Sequence, residues 1–384
     1  MCEVNLATDD LQFGFKRGSG CNDAIFALKM IINYFTTNKS TIFAAALDIR
    51  KAFDRVQHRK LIDALYKAGI PDYVIAILAN WYAKLTAVVR WNSELSKSFA
   101  VRSGVRQGSV LSPSLFNVFI NAIIVNLKRA DTGCHVYGQF MGCLLYADDI
   151  ILLSPSFKGL QHMLDICHNV SSSLELSFNC LKSHCICFGA MYKYRLEPML
   201  LGNESINWVS QITYLGVRIC GGRSLSFDLS ATKQAFFSAS SCIYANAKFN
   251  DQIIHLSLQE TFCKPILTYG IVAMHLTVEQ TRILNCCWNS VYRRIFGFNK
   301  WESVSCFICG LGRLDLRHII LLSRAKFYKH LNNISNLVLS TLYRLLCGTA
   351  CNSDAGLSLA QLPYGLLKVC IYNDFARQTS CYFS

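Results

Sequence analysis

Two adjacent carboxylates, Asp148 and Asp149, stand between apolar runs in the stretch CLLYADDIIL (143–152). The runs have the composition of buried strands, which predicts a hairpin with Ala147, Asp148 and Asp149 at its tip. Because successive side chains of a strand point to opposite faces, the two acids can serve one site only where the strand turns. A third acid, Asp48, ends the apolar stretch TIFAAALD (41–48). We therefore expect three acids to meet at one edge of a sheet.

The chemistry that such a group of acids can support depends on a cation. Close carboxylates repel each other, which raises the pKa of one of them unless a cation compensates the charge. Hard oxygen ligands suit Mg²⁺, which usually completes its shell with substrate phosphates. Two such ions about 3.5–4 Å apart can support an in-line displacement at phosphorus. The alternative is an acidic turn capped by backbone amides, and these residues alone leave both readings open.

The elements that must position these acids follow from the apolar periodicity. We predict an N-cap at Asn22 or Asp23 for the first helix. The predicted helices lie at 22–37, 58–69, 72–84, 114–129 and 158–174, and the chain is mostly helical from about 229. The predicted strands lie at 41–48, 86–91, 184–188 and 212–219. This order indicates an α+β fold with an antiparallel sheet rather than a regular βαβ alternation.

The composition restricts the class of protein and its partners. The 384 residues include 38 Lys and Arg against 24 Asp and Glu, a formal charge of +14. This excess favours an anionic partner such as nucleic acid, although solvated lysines scattered over the surface would give the same total. We expect the 19 cysteines, which follow no signal peptide, to be reduced thiols in an intracellular protein. Every apolar stretch ends well short of the roughly 18 residues of a membrane span.

Six blocks, in this order, resemble the reverse transcriptases of non-LTR (LINE-type) retrotransposons. They are QFGFKRGSGCNDAI (12–25), ALDIRKAFDRV (46–56), GVRQGSVLSPSLFNVFIN (104–121), YADD (146–149), NCLKS (179–183) and YLGV (214–217). The resemblance implies a right-hand polymerase of α+β class, with an antiparallel palm sheet, fingers and a helical thumb. The domains it implies are interleaved fingers and palm over 1–222, a thumb-like helical region over 223–335 and a C-terminal extension over 336–384.

The resemblance also implies catalytic roles. Asp48 and Asp148 match the direct metal ligands, and Asp149 matches the neighbouring acid that supports the metal site. The backbone carbonyl of Ile49 would add an oxygen ligand. Lys182 matches a lysine that protonates the leaving pyrophosphate.

Further residues match the family's substrate contacts. Phe53 matches the aromatic under the incoming sugar, which disfavours a 2′-hydroxyl, although an ordinary core phenylalanine would fit the same pattern. Gln107 and Gly108 match the loop against the nucleotide and template. The remaining contacts are Lys16 and Arg17 for the triphosphate or template, Arg106 for a phosphate or a surface ion pair, and Tyr214, Leu215 and Gly216 for the primer terminus.

The implied reaction is RNA-directed DNA synthesis. A primer 3′-hydroxyl would attack the α-phosphate of a dNTP, with two Mg²⁺ ions, or Mn²⁺ as an alternative, as the cofactor. The implied partners are an RNA template, a DNA primer and dNTPs, together with an endonuclease supplied elsewhere and no membrane. Reverse transcription at chromosomal DNA implies a nuclear location.

Some features favour other interpretations. Only eleven residues precede Gln12, from which we expect a chain truncated at its N-terminus. A catalytically inactive nucleic-acid-binding fragment of a polyprotein is therefore the main alternative. A two-metal nuclease would also need three acids but has no need of Phe53 or Gln107. A zinc site at Cys306, Cys309 and His318 lacks a fourth ligand at a convincing spacing, so we interpret this CxxC as chance.

Overall fold

A computed structural model of the chain describes residues 8–247 and 251–350. Most of the expected C-terminal extension, 351–384, lies outside the described residues. The chain divides into two compact units. The first runs to Gly216 and includes Cys220–Leu225, and the second includes Val217–Ile219 and the chain from Ser226 onward. The domain boundaries given above stay predictions.

Helices and short strands alternate through the first unit, and helices dominate the second. The α-helices are α1 (Cys21–Thr37), α2 (His58–Lys67), α3 (Asp72–Ala83), α4 (Ser112–Ala130), α5 (Phe157–Ser173), α6 (Ser230–Asn246), α7 (Gln252–Phe262), α8 (Lys264–Thr268), α9 (Val278–Phe296), α10 (Ser305–Gly310), α11 (Leu316–Asn332) and α12 (Leu337–Ala350). The strands are β1 (Ile42–Asp48), β2 (Thr86–Ala87), β3 (Arg90–Trp91), β4 (Glu94–Leu95), β5 (Phe99–Ala100), β6 (His135–Val136), β7 (Gln139–Phe140), β8 (Cys143–Tyr146), β9 (Asp149–Ser154), β10 (His184–Phe188), β11 (Met199–Leu201), β12 (Glu204–Ile206), β13 (Gln211–Tyr214), β14 (Val217–Cys220) and β15 (Ser226–Asp228).

The sheet that carries the acids has four antiparallel strands in the order β10-β1-β9-β8. Helices α1 and α5 pack against its central strand β1, whose small residues Ala44 and Ala45 are fully buried. From α1, the side chains of Ile25, Phe26 and Ile31 are almost completely buried. Burial of such side chains stabilises the fold by about 1.5–3 kcal/mol each. The predicted antiparallel sheet is therefore confirmed, and its apolar core holds the strand ends in place.

The start of α1 differs from the prediction. The N-cap is Gly20, and the carboxylate of Asp23 accepts a hydrogen bond from the Gly20 backbone N–H at 2.7 Å. The prediction of Asn22 or Asp23 as the N-cap was wrong, because Asp23 satisfies the helix start from the third helical position, as in a capping box.

The predicted strand 86–91 was only partly right. The structure has two separate short pairs, β2 with β5 and β3 with β4, in a hairpin whose residues 88–100 are all exposed. Between the pairs, the Ser96 hydroxyl accepts a hydrogen bond from the Val89 N–H at 2.9 Å. A side-chain bond of this kind competes with the regular strand ladder, which explains the interruption.

The second unit is built around aromatic side chains of α9. Trp288 and Tyr292 are fully buried and lie edge to face, 5.9 Å apart between ring centroids. Phe236 of α6 is also fully buried beside Trp288. Trp288 and Tyr292, which stand about one helical turn apart, therefore belong to a packed face of α9.

Two further findings concern the described residues. The cysteines there are free thiols. Among the helices of these residues, none combines the length and apolar character that crossing a membrane requires.

Candidate active site

Asp48 and Asp149 lie directly opposite each other on neighbouring antiparallel strands. Asp48 is the last residue of β1, Asp149 is the first of β9, and the two are paired in the register of these strands. Directly opposed residues project to the same face, with Cβ atoms about 4.5–5.5 Å apart. The sheet therefore places these two carboxylates side by side at its edge.

Asp148 occupies the turn between β8 and β9. Tyr146 pairs with Asp149, which leaves only Ala147 and Asp148 in the turn, and Ala147 has a φ of 55°. A positive φ at the first residue is typical of a tight type II′ hairpin turn. The predicted hairpin is confirmed, but Asp149 belongs to the strand rather than to the tip, because two residues suffice to reverse the chain.

The electrostatics of the three acids are coupled. Partial burial, and to a lesser degree the charge of Asp48, raise the pKa of Asp148, against a lowering backbone hydrogen bond. Partial burial and then the charges of Asp148 and Asp48 raise the pKa of Asp149 to about 6. Burial and like charges both disfavour the ionised carboxylates, and a bound cation would act in the opposite direction.

The fit of this group to a metal follows from its donor atoms. No three His, Cys, Asp or Glu side chains of the described residues are arranged as a complete metal-holding cluster, and this includes the three aspartates. Asp149 is exposed at this edge, and the donor atoms that the three aspartates offer are carboxylate oxygens. Such a donor set fits Mg²⁺, which retains waters and takes further ligands from substrate phosphates.

The turn at residues 179–183 holds the backbone of Asp48. In this block, the sequence pointed to a role for Lys182 alone. The Asp48 carbonyl accepts a hydrogen bond from Asn179 N–H at 2.8 Å, and its N–H donates to the Ser183 hydroxyl at 3.2 Å. Ser183 is fully buried, whereas Lys182 beside it is exposed. Ile49 is buried and forms an isolated β-bridge with Phe178. Ser183 was missed, and its place in the NCLKS block was the available signal.

Phe53 lies half-buried in the turn after β1. Its ring stacks on Phe116 of α4, with centroids 4.6 Å apart, and Phe15 meets it edge to face at 6.3 Å. Phe15 itself is 54% exposed. Phe116 therefore fixes one face of the Phe53 ring, while the region near Phe15 stays open to solvent.

The loop that carries Gln107 and Gly108 is tied to the same turn. The N–H of Val105 donates to the Phe53 carbonyl at 2.8 Å, and the Gln107 amide donates to the Asp54 carboxylate at 3.0 Å. Gly108 has a φ of 79°, which favours glycine. Two blocks separated by about fifty residues are thus brought together, and the roles of Phe53, Gln107 and Gly108 stay predictions.

The basic residues differ in how they are engaged. The Lys16 ammonium donates to the carbonyls of Thr8 and Asp9 at 3.0 and 2.8 Å, and its burial lowers its pKa. Arg17 and Arg106 are exposed. The assignment of these three residues to nucleotide or template contacts stays a prediction.

The primer block ends near the acids. Tyr214 is buried, and its hydroxyl has no hydrogen-bond partner among the described residues. Burial, and then the charge of Asp149, raise the pKa of this phenol. The turn that follows uses Leu215 and Gly216, with φ values of 46° and 75°. Their role at the primer terminus stays a prediction.

His318 pairs with an acid at the start of α11. Its Nδ1 lies 2.6 Å from an Asp315 carboxylate oxygen, and this oxygen also accepts the His318 backbone N–H at 3.0 Å. Asp315 is the N-cap of α11. The pair therefore caps a helix.

The antiparallel sheet carries Asp48 opposite Asp149, with Asp148 in the adjoining turn. The stacked ring of Phe53 and the loop that carries Gly108 flank these acids in the sequence blocks described above. This arrangement defines the palm of a right-hand polymerase. Residues 3–219 match the family described as "Reverse transcriptase (RNA-dependent DNA polymerase)". The chain belongs to this family, which confirms the non-LTR reverse transcriptase resemblance and the right-hand fold. Members of the family generally use divalent metal ions and bind an RNA template.

Individual relatives cover parts of the chain. The R2 retrotransposable element polyprotein of Nasonia vitripennis is 30% identical over 225 residues, which are 54% of this chain and 21% of that protein. An R2 polyprotein of Popillia japonica is 26% identical over 336 residues, covering 83% of this chain and 46% of the relative. The RNA-directed DNA polymerase from the mobile element jockey of Drosophila melanogaster is 25% identical over 310 residues, covering 77% and 33%. The chain thus spans less than half of the length of each.

Among solved structures, the chain is similar to apo telomerase from Candida tropicalis. The TM-score is 0.45 at 14% identity, with 90% of this chain and 55% of that chain covered.

Proposed function

We propose that this chain is an RNA-directed DNA polymerase that copies retrotransposon RNA into DNA. The observation that carries the proposal is the pairing of Asp48 with Asp149 across β1 and β9, with Asp148 in the adjoining turn. In a chain of the reverse transcriptase family, this open carboxylate edge is suited to nucleotidyl transfer.

In the reaction, a primer 3′-hydroxyl attacks the α-phosphate of a dNTP and pyrophosphate leaves. When bound, two Mg²⁺ ions, or Mn²⁺ in their place, would supply charge stabilisation for the attacking and leaving oxygens. The carboxylates of Asp48 and Asp148 and the backbone carbonyl of Ile49 would coordinate these ions, and Asp149 would support the metal site. Lys182 is exposed next to Ser183, which binds the backbone of Asp48, and it protonates the leaving pyrophosphate.

Selection of the deoxyribose rests on Phe53. Because Phe116 stacks directly against the Phe53 ring, the ring cannot retreat from a ribose placed on it. A 2′-hydroxyl would therefore collide with the ring, and deoxynucleotides are preferred. Gln107 and Gly108 lie against the nucleotide and template, and Gly108 allows a close backbone approach.

The remaining contacts position the phosphates and the primer. Arg17, together with Lys16 of the same fingers block, contacts the triphosphate or template. Arg106 contacts a phosphate. Tyr214, Leu215 and Gly216 support the primer terminus. Phosphoryl transfer depends mainly on such positioning and on charge stabilisation.

The macromolecular partners follow from charge. The net charge of +14 favours binding of an RNA template and a DNA primer through their phosphates, with strong salt dependence. The thumb-like region, 223–335, holds the duplex. An endonuclease supplied elsewhere would make the nick in chromosomal DNA, and the reaction would then take place in the nucleus.

The test is extension of a DNA primer on an RNA template with Mg²⁺ and dNTPs. We expect the unmodified chain to extend the primer, Asp148→Asn to abolish extension, and Asp63→Asn, which changes an exposed acid of α2, to leave it intact. Duplex binding without extension by the unmodified chain would instead support the alternative of a catalytically inactive fragment. Primer shortening without dNTPs would support a nuclease.

A further inference from the structure

The segment that precedes Phe15 runs alongside strand β8 and reaches the turn that carries Asp148. The Leu145 N–H donates to the Leu11 carbonyl at 2.9 Å, and the Phe13 N–H donates to the Leu145 carbonyl at 2.8 Å. Gln12, between them, forms a parallel bridge with Leu145. Residues 11–13 therefore extend the edge of the palm sheet just before its catalytic turn.

The side chain of Gln12 is fully buried and points at that turn. Its carboxamide oxygen accepts hydrogen bonds from the Gly14 N–H at 2.9 Å and from the Ala147 N–H at 3.0 Å. Its Nε2 has no hydrogen-bond partner among the described residues. A glutamine that leaves one end unsatisfied in the interior is unfavourable for stability. The oxygen of this carboxamide thus serves the backbone at the turn, whereas its nitrogen gains no hydrogen bond among the described residues.

The turn itself needs an external restraint. Ala147 adopts a φ of 55°, a conformation that an L-residue other than glycine rarely occupies. The hydrogen bond from its N–H to Gln12 fixes the Tyr146–Ala147 peptide, which stands one residue before Asp148 in the turn. Any rotation of this peptide would swing the Asp148 carboxylate relative to Asp48.

A second buried amide secures the segment from the other side. Asn117 of α4 is 2% exposed and donates from Nδ2 to the Gly14 carbonyl at 2.7 Å. A Cβ on Gly14 would lie 2.5 Å from the Ala147 nitrogen, so only glycine allows this approach. Asn117, Gly14 and Gln12 thus connect α4 to the turn.

We propose that Gln12 is a positioning residue for nucleotidyl transfer, which fixes the Ala147 peptide and through it the Asp148 carboxylate. The inference rests on the proposed function for its catalytic consequence, but the restraint on the turn can be measured without catalysis. Neither the resemblance nor the family match assigns a role to this side chain.

The test compares Gln12→Met with the unmodified chain. Methionine keeps nearly the volume of glutamine but cannot accept the two hydrogen bonds, so core packing is preserved. We expect amide hydrogen exchange at Ala147 to accelerate by up to about tenfold, as for loss of one hydrogen bond. We also expect kcat for primer extension to fall by about 10–100-fold, with the KM for dNTP and the affinity for the template–primer duplex little changed.

A matched control exists in the same unit. Gln161 of α5 also accepts a backbone hydrogen bond through its carboxamide oxygen, from the Leu200 N–H at 2.9 Å, on an exposed surface. Gln161→Met should leave both exchange at Ala147 and kcat unchanged. Gln12→Glu retains an acceptor for both N–H groups and should keep Ala147 protected, which provides the comparison if Gln12→Met does not fold.

The outcomes separate the inference from the proposed function. If Ala147 exchanges equally fast in Gln12→Met and the unmodified chain, or is unprotected in Gln12→Glu, the inference is overturned. A loss of kcat no larger than that of Gln161→Met also overturns it. If the unmodified chain extends no primer, the proposed function fails while the exchange comparison still decides whether Gln12 restrains the turn.

Discussion

Asp48 and Asp149 face each other in register across two antiparallel strands, at the point where one strand ends and the other begins. This relationship gives the two acids different neighbours. Asp48 is anchored through its backbone by Asn179 and Ser183, whereas Asp149 adjoins the Asp148 turn.

We predict that Asp48→Asn lowers the rate of primer extension by roughly 10³-fold or more, because a direct ligand is lost. Asp149→Asn should cost distinctly less, since this acid only supports the site. Single-turnover extension at saturating dNTP would measure both effects. Equal losses in the two variants would contradict the assigned roles.

Phe53→Val should relax sugar selection. The smaller side chain leaves space above Phe116 for a 2′-hydroxyl, so discrimination between a dNTP and its rNTP should fall by roughly 10²-fold. The ratio of kcat/KM values for the two nucleotides measures the change. Phe99→Ala, which alters an exposed ring of β5, is the control and should leave the ratio unchanged. An unaltered ratio in Phe53→Val would favour an ordinary core phenylalanine.

Arg17→Gln should distinguish template contact from triphosphate contact. If Arg17 contacts a template phosphate, the dependence of log binding constant on log salt should become shallower by about one. If it contacts the triphosphate, the KM for dNTP should rise while the salt slope stays the same. Lys60→Gln, which removes an ammonium of the first unit that is already paired with Glu175 at 2.8 Å, should change neither. A null result for Arg17 in both measurements would contradict the assignment.

The Asp315 and His318 pair should make stability depend on acid pH. Burial acts to raise the pKa of Asp315, but hydrogen bonds from the His318 side chain and backbone, with the charges of His318 and Arg317, outweigh it and lower the pKa. A carboxyl with a depressed pKa contributes stability above its unfolded pKa of about 3.9 and loses it as pH falls through the folded value.

Asp315→Asn should therefore lower the free energy of unfolding near neutral pH by about 1 kcal/mol, and the difference should shrink as the pH falls below the unfolded pKa of about 3.9. A series of urea unfolding curves from neutral to acid pH measures this. Asp251→Asn is the control, because Asp251 caps α7 through the Ile253 and Ile254 N–H groups and asparagine caps equally well. A difference that persists undiminished at low pH would contradict the pair's role.

The acids were predictable from sequence because each borders an apolar run that reads as a buried strand. Gln12 and Ser183 were not, because each acts through a backbone group distant in sequence, 135 residues away in both cases. The interruption between β2 and β3 has a local cause, because the Ser96 hydroxyl bonds the Val89 N–H across the hairpin. Local patterns identify strand ends, whereas the hydrogen bonds that hold those ends depend on tertiary contacts.

The central claim is that Asp48 and Asp148 hold the divalent ions of nucleotidyl transfer. Its most direct test is Mn²⁺ binding, followed by electron paramagnetic resonance, in a complex of the chain with a dideoxy-terminated primer, an RNA template and the matching dNTP. The account predicts tight Mn²⁺ binding that requires the dNTP, is lost in Asp48→Asn and in Asp148→Asn, and persists in Asp63→Asn. Mn²⁺ binding of equal affinity in all four proteins would contradict it.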